Sequence, residues 1–258
     1  MALLEIRGIT KNFGMLKALD DVNVNVEQGD VLGIVGPNGS GKTTLINVIS
    51  GFYQPTKGGI FLDGKNIAGL RPDQITARGI GRTFQSNVMY EGLTVIQSML
   101  VSSLLQYKTG SWKAFFGTRT YREEHERVVG RVLEILRLLD LFNDTFIAAD
   151  KLSYGYQRML GIAIALAANP KILMLDEPTT GMNYEEAMFV VENIRKLRDQ
   201  GITVLMIEHN MKVVTNVATN VVVLNFGTKI AEGPPHVVMN NKDVIEAYLG
   251  TENFGANN

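Results

Sequence analysis

A glycine-rich segment between an apolar run and a helical pattern constrains the fold of this chain more than any other feature. The segment, 36–44, fits G-x-x-x-x-G-K-[ST], the Walker A pattern. It follows residues 31–35, an apolar run typical of a buried strand. It precedes residues 44–51, which are typical of a short helix ending at glycine. The sequence therefore predicts the strand, loop and helix that this motif requires.

Polyphosphate binding is the chemistry that such a loop supports. Its glycines let the backbone curl so that N–H groups point inward, and the helix N-terminus adds further donors. Lys42 is predicted to reach the β- and γ-phosphates, and the Thr43 hydroxyl to complete a Mg²⁺ shell. The alternative, a turn that binds nothing, would not require a Lys-Thr pair at this offset. We expect a nucleoside triphosphate on the segment Gly36, Pro37, Asn38, Gly39, Ser40, Gly41, Lys42, Thr43 and Thr44.

Length and composition exclude several classes of protein. The 258 residues can form one large domain or two small ones. A net charge of −1 gives no argument for nucleic-acid binding, and the absence of cysteine excludes disulfides and thiolate metal sites. The N-terminus carries no secretory signal pattern, and no apolar run approaches the roughly 18 residues of a membrane span. We expect a cytoplasmic chain that meets a membrane only through a partner.

The N-terminal residues alternate between apolar and polar. Segments 3–9 and 19–27 predict half-buried antiparallel strands, joined by a turn at residues 11–14. Phe13 in this turn could stack on a nucleotide base or close the sheet edge, and spacing alone favours the edge. A further strand is predicted at 60–65 with an Asp-Gly turn.

Helical patterns dominate from about Ser86 to Ala168. Thr94 is predicted to cap a helix over 95–105, and a longer helix covers about 120–140. His125 lies among charged residues and is predicted to be a solvated surface side chain. Trp112 belongs either to a partner-docking patch or to local packing.

From Lys171 the chain returns to alternating strands and helices. Strands are predicted at 172–176, 202–207 and 221–224, with a helix over 185–200 and a last helix at 243–249. Around a phosphate-binding loop, this order predicts an α/β fold with a largely parallel sheet covered on both faces.

Acidic residues and a histidine follow two of these strands. Asp176 and Glu177 come at a strand end, where ligands meet an α/β sheet. Asp176 suits a Mg²⁺ shell as the Walker B acid, and Glu177 could poise a water for attack on the γ-phosphate. His209 follows the next strand and is predicted to approach the same phosphate. The alternatives are two surface acids and an ordinary polar histidine.

The segment 152–158, Leu-Ser-Tyr-Gly-Tyr-Gln-Arg, decides the class. It precedes a predicted helix, with Ser153 as N-cap, and resembles the L-S-G-G-Q signature of ATP-binding-cassette (ABC) ATPases. The resemblance covers essentially the whole chain. It implies a single ABC domain over 1–258. A P-loop, RecA-like core with a mixed, mainly parallel sheet and an antiparallel β subdomain take up about 1–85 and 169–258, and an inserted helical subdomain takes up about 86–168.

The resemblance also implies roles for individual residues. In this family the Ser and Gly of one signature close over the γ-phosphate held by the other subunit, so Ser153 and Gly155 are expected to serve a partner's ATP. The resemblance makes Phe13 the aromatic that stacks on the nucleotide base, whereas spacing alone favoured a role in closing the sheet edge. Gln85 becomes the loop glutamine that contacts Mg²⁺ and senses the transmembrane partner, and His209 the switch histidine.

Three positions depart from the family pattern. Tyr154 and Tyr156 replace the first Gly and the Gln of the usual signature. Asn183 stands where the loop after Walker B usually carries Asp. Ser153 and Gly155 of the signature are retained, and Asn183 keeps hydrogen-bonding capacity but lacks the charge of Asp.

The same signature, the Gly-Met-Asn loop and the C-terminal residues 246–250 resemble the ATPases of branched-chain amino-acid importers. The resemblance implies a Mg-ATP-hydrolysing subunit at the cytoplasmic face of the inner membrane. Its partners would be transmembrane permease subunits, a second ABC ATPase and, indirectly, a substrate-binding protein, with no nucleic acid. The alternatives are an ATPase for another cargo such as urea, amides or a lipid, a soluble ABC protein acting on DNA or ribosomes, and a regulator without turnover.

Overall fold

The structure, a computed structural model, describes residues 2–83, 92–107 and 116–249. The strands in these ranges are β1 (Leu4–Phe13), β2 (Leu16–Val26), β3 (Val31–Val35), β4 (Lys57–Leu62), β5 (Lys65–Asn66), β6 (Ile80–Arg82), β7 (Ile172–Asp176), β8 (Thr203–Ile207), β9 (Asn220–Asn225) and β10 (Thr228–Gly233). The α-helices are α1 (Lys42–Ile49), α2 (Pro72–Ala77), α3 (Val95–Ser102), α4 (Arg119–Leu138), α5 (Tyr154–Ala167), α6 (Tyr184–Asp199), α7 (Met211–Val217), α8 (Pro235–Val238) and α9 (Lys242–Leu249).

A six-stranded sheet forms the centre, in the order β10-β9-β3-β8-β7-β6. Its strands pair in parallel except for β10, which is antiparallel to β9. The predicted mixed, mainly parallel sheet is therefore confirmed. Because parallel strands end at the same edge, the segments that follow β3, β7 and β8 come together there.

An antiparallel sheet in the order β2-β1-β4-β5 confirms the predicted N-terminal β region. The predicted turn at 11–14 was wrong, because the strands continue through it. Lys11 pairs with Leu19 and Phe13 with Leu16, so the connection shrinks to residues 14–15. Shifts of register along the β1–β2 pair interrupt the regular alternation there.

Two hydrophobic clusters cover the two faces of the central sheet. On β3, Leu32 and Ile34 belong to the cluster shared with α1 and the antiparallel sheet. Val31 and Val35 of the same strand belong to the cluster shared with the helices. This period-2 division between two apolar layers is what a parallel sheet needs, since it is buried on both sides.

Helices fill the described part of residues 92–167. Thr94 caps α3 as predicted, with its hydroxyl accepting from the Gln97 N–H at 3.4 Å. His125 on α4 is half-buried, and the prediction of a solvated residue was wrong. Its ring stacks on Tyr121, four residues earlier on the helix, and its Nδ1 lies 2.7 Å from the Tyr107 hydroxyl.

The segment around Trp112 lies outside the described residues. Among the helices that the structure does describe, none combines the length and the hydropathy needed to cross a membrane.

Candidate functional site

The loop between β3 and α1 is shaped by glycines that have no room for a side chain. Gly36 has a φ of 153°, and a Cβ there would lie 2.1 Å from the Leu224 carbonyl oxygen. Gly41 precedes the helix with a φ of 104°, and its Cβ would lie 2.8 Å from the Ala18 carbonyl oxygen. The loop is thus pressed between two neighbouring strands, and the first N–H groups of α1 open at the end of β3.

Lys42 is folded back onto this loop. Its Nζ donates to the carbonyl oxygens of Gly36, at 2.7 Å, and Pro37, at 2.9 Å. Burial lowers the pKa of the Lys42 ammonium, whereas the nearby Glu177 carboxylate raises it. The Ser40 hydroxyl is also buried, and it has no hydrogen-bond partner among the described residues. An anion bound in this loop can accept from the Ser40 hydroxyl and from the Lys42 ammonium, which now donates to the two carbonyl oxygens.

A cleft of about 440 Å³ opens over the loop. It brings together Phe13, the segment 38–44 and Glu177, all of them predicted from the sequence. Gly36 and Pro37 do not line it: Gly36 is buried, and Pro37 borders a second cleft, beside α9. The cleft thus combines a loop that can hold phosphates with an aromatic ring and a carboxylate.

Sequence reasoning missed part of the lining, namely residues 16–18 and the β9–β10 turn at Phe226 and Gly227. The Gly227 N–H donates to the Ser40 carbonyl at 3.0 Å, and the Asp20 N–H donates to the Gly227 carbonyl at 2.9 Å. The turn is thereby fixed between β2 and the loop. A hairpin signal predicts such a turn but not what it packs against.

Phe13 lies at the end of β1 and is 40% exposed. Its ring meets Tyr53 edge-on at 5.2 Å between centroids, and the Lys11 ammonium lies 4.9 Å from its centroid. The ring is therefore supported by its neighbours and still opens onto the cleft, so both interpretations from the sequence remain compatible with its position.

Asp176 ends β7 with its two oxygens in different surroundings. Arg82 donates through Nη2 to Oδ2 at 2.9 Å, and through Nη1 to Asn47 Oδ1 at 2.8 Å and Ser50 Oγ at 2.7 Å. Asp176 Oδ1 is buried and has no hydrogen-bond partner among the described residues. Nothing in the sequence had singled out Arg82, which ties β6 and α1 to this carboxylate.

Glu177 follows directly in a left-handed conformation, with a φ of 47°. Such a conformation is unfavourable for a residue other than glycine and is found at functional sites. Its N–H donates to the Ile207 carbonyl at 2.9 Å, and its Oε2 accepts from the Thr180 hydroxyl at 3.1 Å. The neighbouring strand and the following turn thus hold both its backbone and its side chain.

Glu208, at the end of β8, is a buried carboxyl that sequence reasoning had left without a role. Its Oε1 accepts from the N–H and the hydroxyl of Thr179, at 3.0 and 2.7 Å. Burial raises the pKa of the Glu208 carboxyl, and the bonds from Thr179 oppose this. Its Oε2 lies 4.0 Å from Nδ1 of His209, whose side chain is 52% exposed. His209 reaches the same sheet edge but is not among the described residues that line the cleft.

No residue of the segment 152–158 is among the described residues that line the cleft of its own chain. Ser153 occupies the N-cap position of α5 as predicted, but its exposed side chain makes no capping hydrogen bond. Gly155 is buried, and a side chain there would meet Glu186 and Phe189 of α6 at 3.9 Å.

Asn183 caps α6, its Oδ1 accepting from the Glu186 N–H at 3.0 Å. Gln85 falls outside the described residues.

The donor set at the sheet edge fits a Mg²⁺ ion. The free Oδ1 of Asp176 and the exposed Thr43 at the start of α1 are hard oxygen donors of the kind that Mg²⁺ prefers. Enzymes commonly bind this ion through one or two such groups together with the phosphates of the substrate.

The family described as ABC transporter matches this sequence over residues 19–180, more than half of the chain. The chain belongs to the ABC transporter family. Residues 228–253 of this ABC chain also match the family described as branched-chain amino acid ATP-binding cassette transporter. The predicted family and its ATPase activity are thereby confirmed.

Known ABC proteins resemble the chain along nearly its whole length. The high-affinity branched-chain amino acid transport ATP-binding protein BraF of Pseudomonas aeruginosa is 40% identical over 249 residues, which cover 96% of this chain and 98% of the relative. A solved cassette in its ADP conformation is 34% identical with a TM-score of 0.83, covering 97% and 99%. A dimeric cassette in a post-hydrolysis state with ADP and Pi is 26% identical with a TM-score of 0.72, covering 90% and 98%. These likenesses confirm the predicted fold.

Proposed function

We propose that this chain binds and hydrolyses Mg-ATP as one half of a cassette dimer. That dimer would drive a permease that imports branched-chain or other hydrophobic amino acids. The observation that carries the proposal is the single cleft that joins the phosphate-binding loop, the aromatic ring of Phe13 and the carboxylate of Glu177. The cargo is inferred from the relative of 40% identity, which is named for branched-chain amino acid transport.

In this proposal each element of the cleft has one task. Phe13 stacks on the base, the loop 36–44 surrounds the phosphates, and Lys42 exchanges its carbonyl partners for phosphate oxygens. Glu177 orients the attacking water, and His209 contacts the γ-phosphate from the end of β8. Thr43 and Asp176, with Gln85, would hold Mg²⁺, whose charge offsets that of the phosphate oxygens.

We assign Ser153 and Gly155 to the nucleotide of a second ABC ATPase, either another copy or a related chain. Neither residue lines the cleft of its own chain, which supports this assignment, as does the dimeric form of the post-hydrolysis relative. The remaining partners in the proposal are permease subunits and, through them, a substrate-binding protein. The chain would work at the cytoplasmic face of the inner membrane. Within it, about 1–85 and 169–258 would form the core and about 86–168 the helical subdomain.

The test compares Glu177→Gln with Lys42→Ala in the full chain. Binding of a fluorescent ATP analogue and phosphate release are measured for each variant. Glu177→Gln should bind as the wild type does and lose at least about 100-fold in turnover, the scale of general-base catalysis. Lys42→Ala should bind the ATP analogue more weakly than the wild type does. Turnover by Glu177→Gln at the wild-type rate would remove Glu177 from its proposed role.

The cargo needs a separate experiment. Permease subunits that co-purify with the chain from membranes would be reconstituted in vesicles together with their substrate-binding protein. ATP-dependent uptake of labelled leucine in preference to labelled urea is expected, and the opposite preference would point to another cargo.

A further inference from the structure

The hydroxyl of Tyr154, a residue that replaces glycine in the usual signature, connects α5 to the turn after β7. Tyr154 Oη donates to the Thr180 carbonyl oxygen at 3.2 Å. Arg158, one helical turn further along α5, donates through Nη2 to the same Oη at 3.0 Å. A guanidinium has donors only, so the tyrosine oxygen must accept from Arg158. Its single hydrogen is thereby directed at the Thr180 carbonyl.

Thr180 in turn holds Glu177. Its hydroxyl donates to Glu177 Oε2 at 3.1 Å, and its N–H donates to the Glu177 carbonyl at 3.2 Å. These two bonds close a tight turn around a residue with a φ of 47°. A backbone conformation of this kind persists only where its surroundings fix it, and Thr180 contributes part of that support.

The turn is attached on two sides that differ in burial. Toward the core, Thr179 makes two hydrogen bonds to the fully buried Glu208. Toward α5, the attachment is the Tyr154 hydroxyl, on a side chain that is 40% exposed. A polar contact in reach of water is readily broken and remade. The second attachment is therefore the one that a shift of α5 would change first.

We propose that Tyr154 is a positioning residue that couples the placement of α5 to the carboxylate of Glu177 in the same chain, through Thr180. The inference rests on the proposed function of Glu177. Because α5 begins after Ser153, the helix that would contact the partner's nucleotide is the one that carries Tyr154. Engagement of the signature segment and orientation of the water-activating carboxylate are then linked within one subunit.

Tyr154→Phe removes the hydroxyl and keeps the ring, and Tyr156→Phe is its matched control. Tyr156 lies on the same helix and packs its ring against Phe189 at 5.0 Å between centroids. We expect Tyr154→Phe to lower kcat about 10- to 100-fold, the scale for a misplaced reacting group. The KM for ATP and the binding of a fluorescent ATP analogue should stay unchanged, and the Tm should fall only slightly, because the buried Arg158 guanidinium loses one acceptor. Tyr156→Phe should match the wild type in all four measurements.

A double-mutant cycle with Thr180 tests the route. Thr180→Val removes the hydroxyl that donates to Glu177, and Thr180→Ser restores it. We expect Thr180→Val to lower kcat, Thr180→Ser to recover most of it, and Tyr154→Phe to have little further effect on the Thr180→Val protein. If the fold-loss of kcat in the double variant equalled the product of the two single losses, the route through Thr180 would be overturned.

Glu177→Gln separates failure of this inference from failure of the proposed function. If Glu177→Gln abolishes turnover while Tyr154→Phe turns over like the wild type, only the coupling is wrong. If Glu177→Gln turns over normally, both proposals fall. A lower kcat accompanied by a large drop in Tm in Tyr154→Phe would show a merely structural role and would also overturn the inference.

Discussion

The guanidinium of Arg82 lies 2.9 Å from the carboxylate of Asp176, and the two side chains are only 11% and 4% exposed. The pair thus joins β6 to the end of β7 in an environment with little water. A buried ion pair adds little net stability, because both charges lose their hydration. Removing one partner is costly, however, since the other charge then remains buried without compensation.

We predict that Arg82→Met destabilises the protein by about 3–5 kcal/mol, the usual loss when one member of a buried pair is removed. The free energy of unfolding would be measured by urea titration. Arg71→Met is the matched control, because Arg71 pairs with Asp73 on the surface, where the side chains are 73% and 65% exposed. The control should show no measurable change. If both variants lost the same free energy of unfolding, the burial of the Arg82–Asp176 pair would not be the cause of the loss.

The buried Glu208 carboxyl predicts a pH dependence of stability. Burial raises its pKa in the folded state. The folded protein therefore binds this proton more tightly than the unfolded chain does, and stability falls as pH rises from the ordinary glutamate range through the raised pKa. Glu208→Gln removes the titration while leaving an oxygen to accept from Thr179.

We expect the stability of Glu208→Gln, relative to the wild type, to increase with pH across that window in urea titrations at several pH values. Glu126→Gln, at an exposed position of α4, serves as the control and should show no such trend. A difference between Glu208→Gln and the wild type that is the same at every pH would contradict the buried titration.

Local patterns predicted most of the fold and the centre of the site, because both depend on residues close together in sequence. The loop 36–44 and the acids after β7 are of this kind. Other contacts, those of Arg82, Glu208 and Tyr154, join elements that only the folded chain brings together. No periodicity or motif in the sequence predicts such contacts. The prediction for His125 was wrong partly for the same reason, because one of the two rings that stack on it, that of Tyr107, comes from a separate segment.

A substitution can distinguish the two roles of the Phe13 ring, stacking on the nucleotide base and closing the edge of the sheet. If it stacks on the base, Phe13→Ala should weaken ATP binding by about 1–3 kcal/mol, the usual value of base–aromatic stacking, with little change in Tm. Phe13→Tyr keeps the aromatic face and should keep the affinity. Phe146→Ala removes another exposed aromatic, outside the cleft, and should bind normally. A loss of Tm without a loss of affinity in Phe13→Ala would favour the sheet edge.

Gly36→Ala tests whether position 36 requires glycine because the loop has no room there for a Cβ. The new Cβ would lie 2.1 Å from the Leu224 carbonyl and 2.6 Å from Ser40 Oγ, so the loop would have to move away from β9. We expect a stability loss of more than about 1 kcal/mol, because the φ of 153° is also unfavourable for alanine. Binding of the ATP analogue should fall with it, since the carbonyl of Gly36 is one of the two that hold Lys42.

Gly161→Ala provides the contrast within α5. No other described atom lies within 4 Å of its Cβ position, apart from the helix's own backbone and its chain neighbours. Alanine is favoured over glycine inside a helix by about 1 kcal/mol, so this variant should be slightly more stable and bind ATP normally. If Gly36→Ala instead kept both stability and affinity, the close approach of β9 would not be what shapes the phosphate-binding loop.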